Sequence, residues 1–220
     1  MEKKIAVILG DGIGPEVTQQ SIKVLDTIAK HFSHQFTYTH ALMGACAIDA
    51  TGNPLPDETI KICLGSDAIL FGAIGDPKYD NDPTAKVRPE QGLLKLRKEL
   101  QLFANIRPVT TYAALQHLSP LKPKFLENVD FVIYRELTGG IYFGAKSLSE
   151  DGTIARDDCS YSVMEIERIT HLAFKHAQIR RKKLTLVDKA NVLETSRLWR
   201  KVVQAISKDY ADVTVDYLFV

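Results

Sequence analysis

The chain alternates between two hydrophobic rhythms. A continuous apolar run, Ile5 to Leu9, is followed after a glycine-rich turn by Val17, Val24, Leu25, Ile28 and Phe32 at helical spacing, which predicts strand, turn and helix. Pro15 suits the first helical turn, where its missing N–H has no intrahelical partner, and Glu16 complements the positive helix end. Gln35 to His40 predicts a second strand, the residues after Asp57 a short helix, and Asp67 to Gly72, with Ala68-Ile-Leu-Phe71, a third strand. Unbroken apolar strands separated by helices argue for a parallel sheet covered on both faces.

From Ala73 to Pro89 the chain places Gly75, Pro77, Pro83 and Pro89 among polar residues, a stretch too long for a simple connector and so a candidate functional loop. A helix is expected from about Glu90 to Leu100, then strands at Phe103 to Val109 and Val129 to Tyr134. After an irregular stretch, Val163, Ile166, Ile169, Ala173, Phe174 and Ala177 define an amphipathic helix. The strand Leu184 to Val187, a helix carrying Leu198, Val202 and Ile206, and the strand Val213 to Val220 complete the alternation. A parallel strand buried on both faces normally continues into a crossover, so the last strand leads us to expect that these residues are part of a longer polypeptide.

Charge narrows the choice of partner. With 28 Lys and Arg against 27 Asp and Glu, a net charge of +1 gives no electrostatic case for nucleic acid or a polybasic membrane anchor. Arg180-Arg-Lys-Lys183 follows the end of an amphipathic helix, where cations complement the helix dipole, and no aromatics interleave it. Ile5 to Leu9 is too short for a signal-peptide core, and no run approaches a membrane span. Cys46, Cys63 and Cys159 are odd in number and widely spaced, which suggests neither a disulfide framework nor a thiolate zinc site. A cytoplasmic protein whose partner is a small molecule or another protein is the expectation. His31, His34 and His40 are clustered, but nothing adds ligands at metal spacing.

Gly10-Asp-Gly-Ile-Gly-Pro-Glu16 sits where a dinucleotide fingerprint would sit, between strand and helix, but Pro15 occupies the place where that fingerprint needs a small residue. A tight turn into a helix is the alternative. Arg97, Arg107 and Arg135 lie at element boundaries and have the bidentate geometry for a dicarboxylic acid; singly, each also reads as a surface or salt-bridging arginine. Lys189, in Val187-Asp-Lys-Ala-Asn191, follows the carboxyl end of a strand, where open α/β sheets place ligands. It is either a candidate base or a loop lysine paired with Asp188. Tyr142, in Gly140-Ile-Tyr-Phe-Gly144, is either an acid or a packing aromatic.

In this order the motifs resemble the isocitrate and isopropylmalate dehydrogenase family. The resemblance runs from Ile5 to Val220 and rests on the glycine turn, Arg88-Pro-Glu-Gln-Gly-Leu-Leu-Lys-Leu-Arg97, Phe103-Ala-Asn-Ile-Arg-Pro108, Arg135-Glu-Leu-Thr-Gly-Gly-Ile-Tyr-Phe-Gly144 and Val187-Asp-Lys-Ala-Asn-Val-Leu193. It implies a non-Rossmann α/β fold of two domains, with parallel and mixed strands flanked by helices. Residues 1–102 would be an incomplete cofactor-side domain and 103–220 most of a substrate and dimerisation domain.

By the same resemblance Arg97, Arg107 and Arg135 would bind the substrate carboxylates. Lys189 would deprotonate the C2 hydroxyl, Tyr142 would protonate the enolate, and Leu93 and Leu94 would wall an isopropyl group. Ile13, Gly75, Asp76, Pro77, Lys78, Glu90 and Asn191 would border NAD. Mg²⁺ or Mn²⁺ would assist, held by aspartates that in the family lie beyond the position of Val220; no residue of this chain is expected to be a ligand. The implied activity is NAD-dependent oxidative decarboxylation of 3-isopropylmalate in leucine biosynthesis. The implied enzyme is a homodimer with shared sites, in which Lys189 serves the neighbouring subunit and an arm around Gly144 to Tyr161 crosses over. Two alternatives stand beside it: a paralogue acting on tartrate, malate, isocitrate or homoisocitrate, and a non-catalytic fragment or pairing subunit.

Overall fold

The computed structural model describes residues 1–82 and 84–220, which form two compact units, Met1–Gln101 and Leu102–Val220. Pro83, expected to punctuate the long loop, lies outside the described residues.

In the first unit β1 (Glu2–Gly10) is the central strand, followed by α1 (Gly14–Phe32), β2 (Gln35–Ala41), α2 (Ala45–Thr51), α3 (Asp57–Leu64) and β3 (Ala68–Ala73). The sheet is parallel in the order β2, β1, β3. Ala6 and Ile8 point into a cluster with Met43, Leu55, Cys63 and Leu96. Strand alternation turns Ile5 and Val7 to the opposite face, and they too are buried, which is why β1 reads as an unbroken apolar run. The loop expected after β3 contains a single helical turn, α4 (Pro77–Asp80), before α5 (Pro89–Glu99).

Helix α1 overturns one expectation. The stripe Val17, Val24, Ile28 and Phe32 is exposed, whereas Gly14 and Thr18 are buried and Ile22, Leu25 and Ala29 half-buried. Close approach decides which side turns inward: a Cβ on Gly14 would lie 2.2 Å from the Leu9 carbonyl oxygen, so the helix meets the sheet through its smallest residue. Periodicity detects an apolar stripe but not which of two stripes can come near enough to pack. Helix α2 was not anticipated, because its first turn is capped by Asp11, just past the end of β1 and 34 residues earlier in the chain.

The second unit opens with the antiparallel pair β4 (Ala104–Thr110) and β5 (Asp130–Glu136). An exposed hairpin follows, β6 (Lys146–Leu148) with β7 (Ala155–Asp157), and then α6 (Val163–Gln178), β8 (Lys183–Asp188), α7 (Glu194–Ile206) and β9 (Thr214–Phe219). Strands β8 and β9 are parallel. The core joins Ile166, Phe174 and Ala177 of α6 to Val202, Val203 and Ile206 of α7, with Val213 below. Tyr161 meets Trp199 edge-on at 5.6 Å, and Phe174 stacks on Tyr210 at 4.7 Å. Strand β9 is not buried on both faces as its apolar content suggested: Tyr217, Leu218 and Phe219 are exposed.

The Arg180 to Lys183 cations have separate duties in this unit. Arg180 pairs with Asp130 at 2.7 Å, Lys182 with Asp212 at 3.1 Å and Lys183 with Asp216 at 2.9 Å, while Arg181 donates to the Asp130 carbonyl. They tie the starts of β5, β8 and β9 together instead of forming a basic patch. Among the described residues no helix is long and apolar enough to cross a membrane.

Candidate functional site

The glycine turn after β1 is organised around a carboxylate. Gly10 has φ +72°, and a Cβ there would lie 1.8 Å from the Ala73 carbonyl oxygen, so only glycine lets β1 end beside β3. The next residue, Asp11, is buried and accepts three backbone N–H bonds: Ala45 at 2.8 Å, Cys46 at 3.0 Å and Gly75 at 3.1 Å. One side chain thus fixes the start of α2 and the start of the 75–90 loop. The turn serves as a carboxylate hub.

That hub holds one of the expected cofactor-side residues, Gly75, from which Asp76, Pro77 and Lys78 follow. Gly75 has φ +124°, and a Cβ there would sit 3.2 Å from Glu90 Oε1, which brings Gly75 and Glu90 together. Asp76 caps α4 by accepting from Lys78 N–H at 3.0 Å, and Pro77 fills its first turn. Lys78 and Tyr79 both bind Asp49, at 2.5 and 2.9 Å, and these bonds hold the Asp49 carboxyl below its usual range. Lys78 is therefore engaged in an exposed ion pair. Arg88 donates to the carbonyls of Tyr79 and Asp82 and braces the loop from behind. Ile13, at the entry of α1, is exposed.

On α5, Glu90, Leu94 and Arg97 follow one face at spacings of four and three, while Leu93 and Leu96, with Leu100 at the helix's C-terminal cap, pack on the core. Leu93 is packed against that core, and Leu94 is half-buried on the neighbouring face.

In the second unit Arg135 stands opposite Asn105 across β4 and β5, and Arg107 lies two residues beyond Asn105 on the same sheet face. Arg107 donates to the Asn105 amide oxygen. Tyr142 is exposed, with its ring 5.3 Å from the Arg135 guanidinium, so it is not a packing aromatic. The turn that carries Tyr142 is held by buried Glu136, which accepts from Thr138 N–H and Gly139 N–H, both at 2.7 Å, and from Arg168. Arg168 also lies 4.8 Å above the Phe103 ring.

Lys189 and Asn191 occupy the turn between β8 and α7. Asp188 does not pair with Lys189: its nearly buried carboxylate binds Arg200 through both Nε and NH2, at 2.9 and 2.8 Å, and also accepts from Ala190 N–H at 3.0 Å. The Lys189 ammonium instead donates to the Val220 carbonyl, and Lys189 N–H donates to Ser196 Oγ at 3.1 Å. Arg197 binds the Ala190 and Asn191 carbonyls and completes the frame of this turn.

Each unit therefore groups its own share of the expected residues. The first assembles Gly75, Asp76 and Glu90 near Asp11, with Leu94 and Arg97 along α5 from Glu90. The second places Arg107 and Arg135 on one strand pair with the Tyr142 ring, from the turn that follows, against Arg135, and Lys189 with Asn191 on one turn. A cavity of about 920 Å³ between β5 and β8 includes Arg135 and Asp188 in its lining but not Lys189 or Tyr142. Sequence reasoning missed Asp11, Glu136, Arg168 and Arg200. The available signal was an acidic residue at or just after the end of a strand, Asp11 after β1, Glu136 in β5 and Asp188 in β8, which when buried needs amides or an arginine to satisfy it. Among the described residues no group of three or more His, Cys, Asp or Glu side chains could hold a metal ion.

Comparison with known proteins follows the same outline. Residues 4–220 match the family model described as isocitrate/isopropylmalate dehydrogenase. A 3-isopropylmalate dehydrogenase of Bacteroides fragilis is 54% identical over the whole chain, which spans 62% of that protein, and one of Bacillus subtilis is 49% identical, with 61% spanned. The crystal structure of isocitrate dehydrogenase from Methylococcus capsulatus superposes with a TM-score of 0.82 at 29% identity, covering 98% of this chain and 60% of that one. The chain thus spans about three fifths of the length of the relatives it matches.

Proposed function

The chain belongs to the isocitrate/isopropylmalate dehydrogenase family, and from that premise we propose that it is the substrate-handling part of a cytoplasmic, NAD-dependent enzyme that oxidises and decarboxylates 3-isopropylmalate to 4-methyl-2-oxopentanoate in leucine biosynthesis. The observation that carries the reading is the Tyr142 ring, from the turn after β5, set against Arg135 on the strand face that also bears Arg107. Two guanidiniums and a phenol on one surface suit a carboxylate-bearing carbon that must gain a proton.

In this reading Arg97, Arg107 and Arg135 hold the substrate carboxylates, and Leu94 offers the apolar surface for the isopropyl group. Lys189 takes the proton of the C2 hydroxyl. That proton transfer raises electron density on the C2 oxygen and makes the C2 hydrogen a better hydride donor. Tyr142 returns a proton to the carbon that has lost carbon dioxide.

Ile13, Gly75, Asp76, Pro77, Lys78, Glu90 and Asn191 would border NAD, which when bound supplies the hydride acceptor. The glycine-only approach at Gly75, with Glu90 beside it, fits a flat ligand lying close to the backbone. A divalent ion, Mg²⁺ or Mn²⁺, belongs to the family's implied chemistry, but the side chains described here do not fit a site for one, so the proton steps above rest on this chain's own residues. The working form is a homodimer in which Lys189 serves the neighbouring subunit and the β6–β7 hairpin crosses over.

The lack of a fitting metal site, together with the fraction of the relatives' length spanned, favours a second reading for the 220 residues taken alone, that of a non-catalytic piece. Turnover of isopropylmalate by the purified 220-residue chain would eliminate it.

Steady-state rates of the intact enzyme with isopropylmalate, isocitrate, malate, tartrate and homoisocitrate test the main reading. Isopropylmalate should give the highest kcat/KM, although an apolar pocket discriminates by only ~1–3 kcal/mol per methylene. A higher value for isocitrate or malate would overturn the substrate assignment.

A further inference from the structure

The turn that carries Tyr142 is pinned at three successive residues before the tyrosine is reached. Glu136, the last residue of β5 and 5% exposed, folds its carboxylate over that turn: Oε2 accepts Thr138 N–H and Gly139 N–H, both at 2.7 Å, and Oε1 accepts the Thr138 hydroxyl at 2.9 Å. Gly140 then donates to the Ser160 carbonyl at 2.7 Å, and with φ +78° and the Tyr161 hydroxyl 2.3 Å from where a Cβ would stand, only glycine fits there. Phe143 and Gly144 N–H both return to the Gly140 carbonyl, at 3.3 and 3.2 Å, and close the turn around Tyr142. The cation that completes this arrangement comes from another element. Arg168, on α6, donates to Glu136 and to the Thr138 hydroxyl, and its guanidinium lies 4.8 Å from the Phe103 ring just ahead of β4.

We propose that Arg168 is a positioning residue for Tyr142: by clamping Glu136 and Thr138 it fixes the entry of the turn, and with it the phenol ring 5.3 Å from the Arg135 guanidinium. A carboxylate this buried stays an anion only while its donors surround it, and as an anion it holds the amides of Thr138 and Gly139 more firmly than a neutral acceptor would. Withdrawing the guanidinium strands that charge. A carboxylate that then turns toward water deprives both amides of their acceptor at once. A planar guanidinium can stack on Phe103 while it donates in its own plane to two acceptors, which the point charge of a lysine does not reproduce. Strand alternation sends Arg135 to the exposed face of β5 and Glu136 to the buried one, so the clamp and the arginine surface lie on opposite sides of the strand. The consequence for turnover rests on the reading of Tyr142 as the acid; the consequence for the place of its ring does not.

Fluorine NMR of the intact enzyme labelled with 3-fluorotyrosine reports the surroundings of the ring without turnover, the Tyr142 and Tyr38 resonances being identified by their loss in Tyr142→Phe and Tyr38→Phe. Arg168→Lys should shift the Tyr142 resonance and leave that of Tyr38, bound to Asp26 in the first unit, in place. Arg168→Gln combined with Glu136→Gln removes both charges without stranding one, guards against a single variant that does not fold, and should shift the Tyr142 resonance as well. In turnover, Arg168→Lys should lower kcat by about ten- to a hundredfold, as a displaced catalytic group does, with KM within a few fold because the arginine surface is untouched. In the Tyr142→Phe background the same substitution should cost no more than about twofold in kcat, since no phenol remains to be misplaced. An unmoved Tyr142 resonance in the folded variants, or the full loss of kcat repeated in the Tyr142→Phe background, would overturn the proposal. If the resonance moves while neither Arg168→Lys nor Tyr142→Phe lowers kcat, Arg168 keeps its role and Tyr142 is not the acid. If the resonance stays while Tyr142→Phe lowers kcat, Arg168 loses its role and the acid assignment stands.

Discussion

Asp188 and Arg200 meet in a two-pronged ion pair that joins the last residue of β8 to the middle of α7, with the carboxylate side chain 3% exposed and the guanidinium side chain 25% exposed. Removing one partner of such a pair is worse than removing both, because the survivor is left charged and desolvated. Arg200→Ala should lower stability by about 3 kcal/mol or more, and Asp188→Asn combined with Arg200→Gln by clearly less. Urea unfolding measures both. Equal losses in the single and double variants would rule out the stranded charge as the cause.

Asp11 offers a second test of a single side chain that organises distant segments. Asp11→Ala leaves three backbone donors without their acceptor, and hydrogen bonds to a charged group contribute ~1.5–3 kcal/mol each, so a loss of at least about 3 kcal/mol is expected in the first unit. Amide hydrogen exchange at Ala45, Cys46 and Gly75 should accelerate together. Acceleration at only one of the three would show that Asp11 is not their common anchor.

For Lys189 the expectation in the intact enzyme is a separation of kinetic parameters. Lys189→Met should lower kcat by ~10²–10⁴ and leave substrate affinity within a few fold, as the loss of a general base does. Arg135→Ala should damage both parameters, since it removes a contact made in ground and transition states alike. Mixing Lys189→Met with Arg97→Ala subunits should restore one intact site per heterodimer. Continued inactivity after verified subunit exchange would refute the shared site, and near-normal kcat in Lys189→Met would refute the base.

Acid should loosen the second unit where β5 begins. The hydrogen bond from Arg180 holds the Asp130 carboxyl below its usual range, so the pair's contribution is complete above about pH 4, where an unfolded aspartate titrates, and is lost as pH falls through the lowered folded value. The difference in Tm between the parent and Asp130→Asn should therefore be steady from neutrality down to about pH 4 and shrink below it. A difference that widens on acidification would contradict the assigned direction.

Much of the architecture was legible because it depends on local patterns. The run Ile5 to Leu9 announced a strand buried on both faces, and Ile166, Ile169, Phe174 and Ala177 announced the buried side of α6. The motifs around Arg97, Arg107, Arg135, Tyr142 and Lys189 were visible because arginine, tyrosine and lysine beside glycine or at strand ends are chemically conspicuous. What stayed hidden were the partners of those residues. Nothing local to Asp188 distinguishes pairing with Lys189, one residue away, from pairing with Arg200, twelve away on another element.

The sequence by itself determined the order and type of most elements, the family and the chemical kinds of the candidate site residues, since strand and helix periods and glycine turns are set by nearest neighbours along the chain. The tertiary structure alone decided that α1 packs through Gly14 and Thr18 instead of its larger apolar stripe, that Asp11 gathers three segments, and that Asp188 pairs with Arg200 and not with its neighbour Lys189. Each of these depends on which groups come within hydrogen-bonding or contact distance once the chain has folded, and a linear pattern does not carry distances between segments that are remote along it.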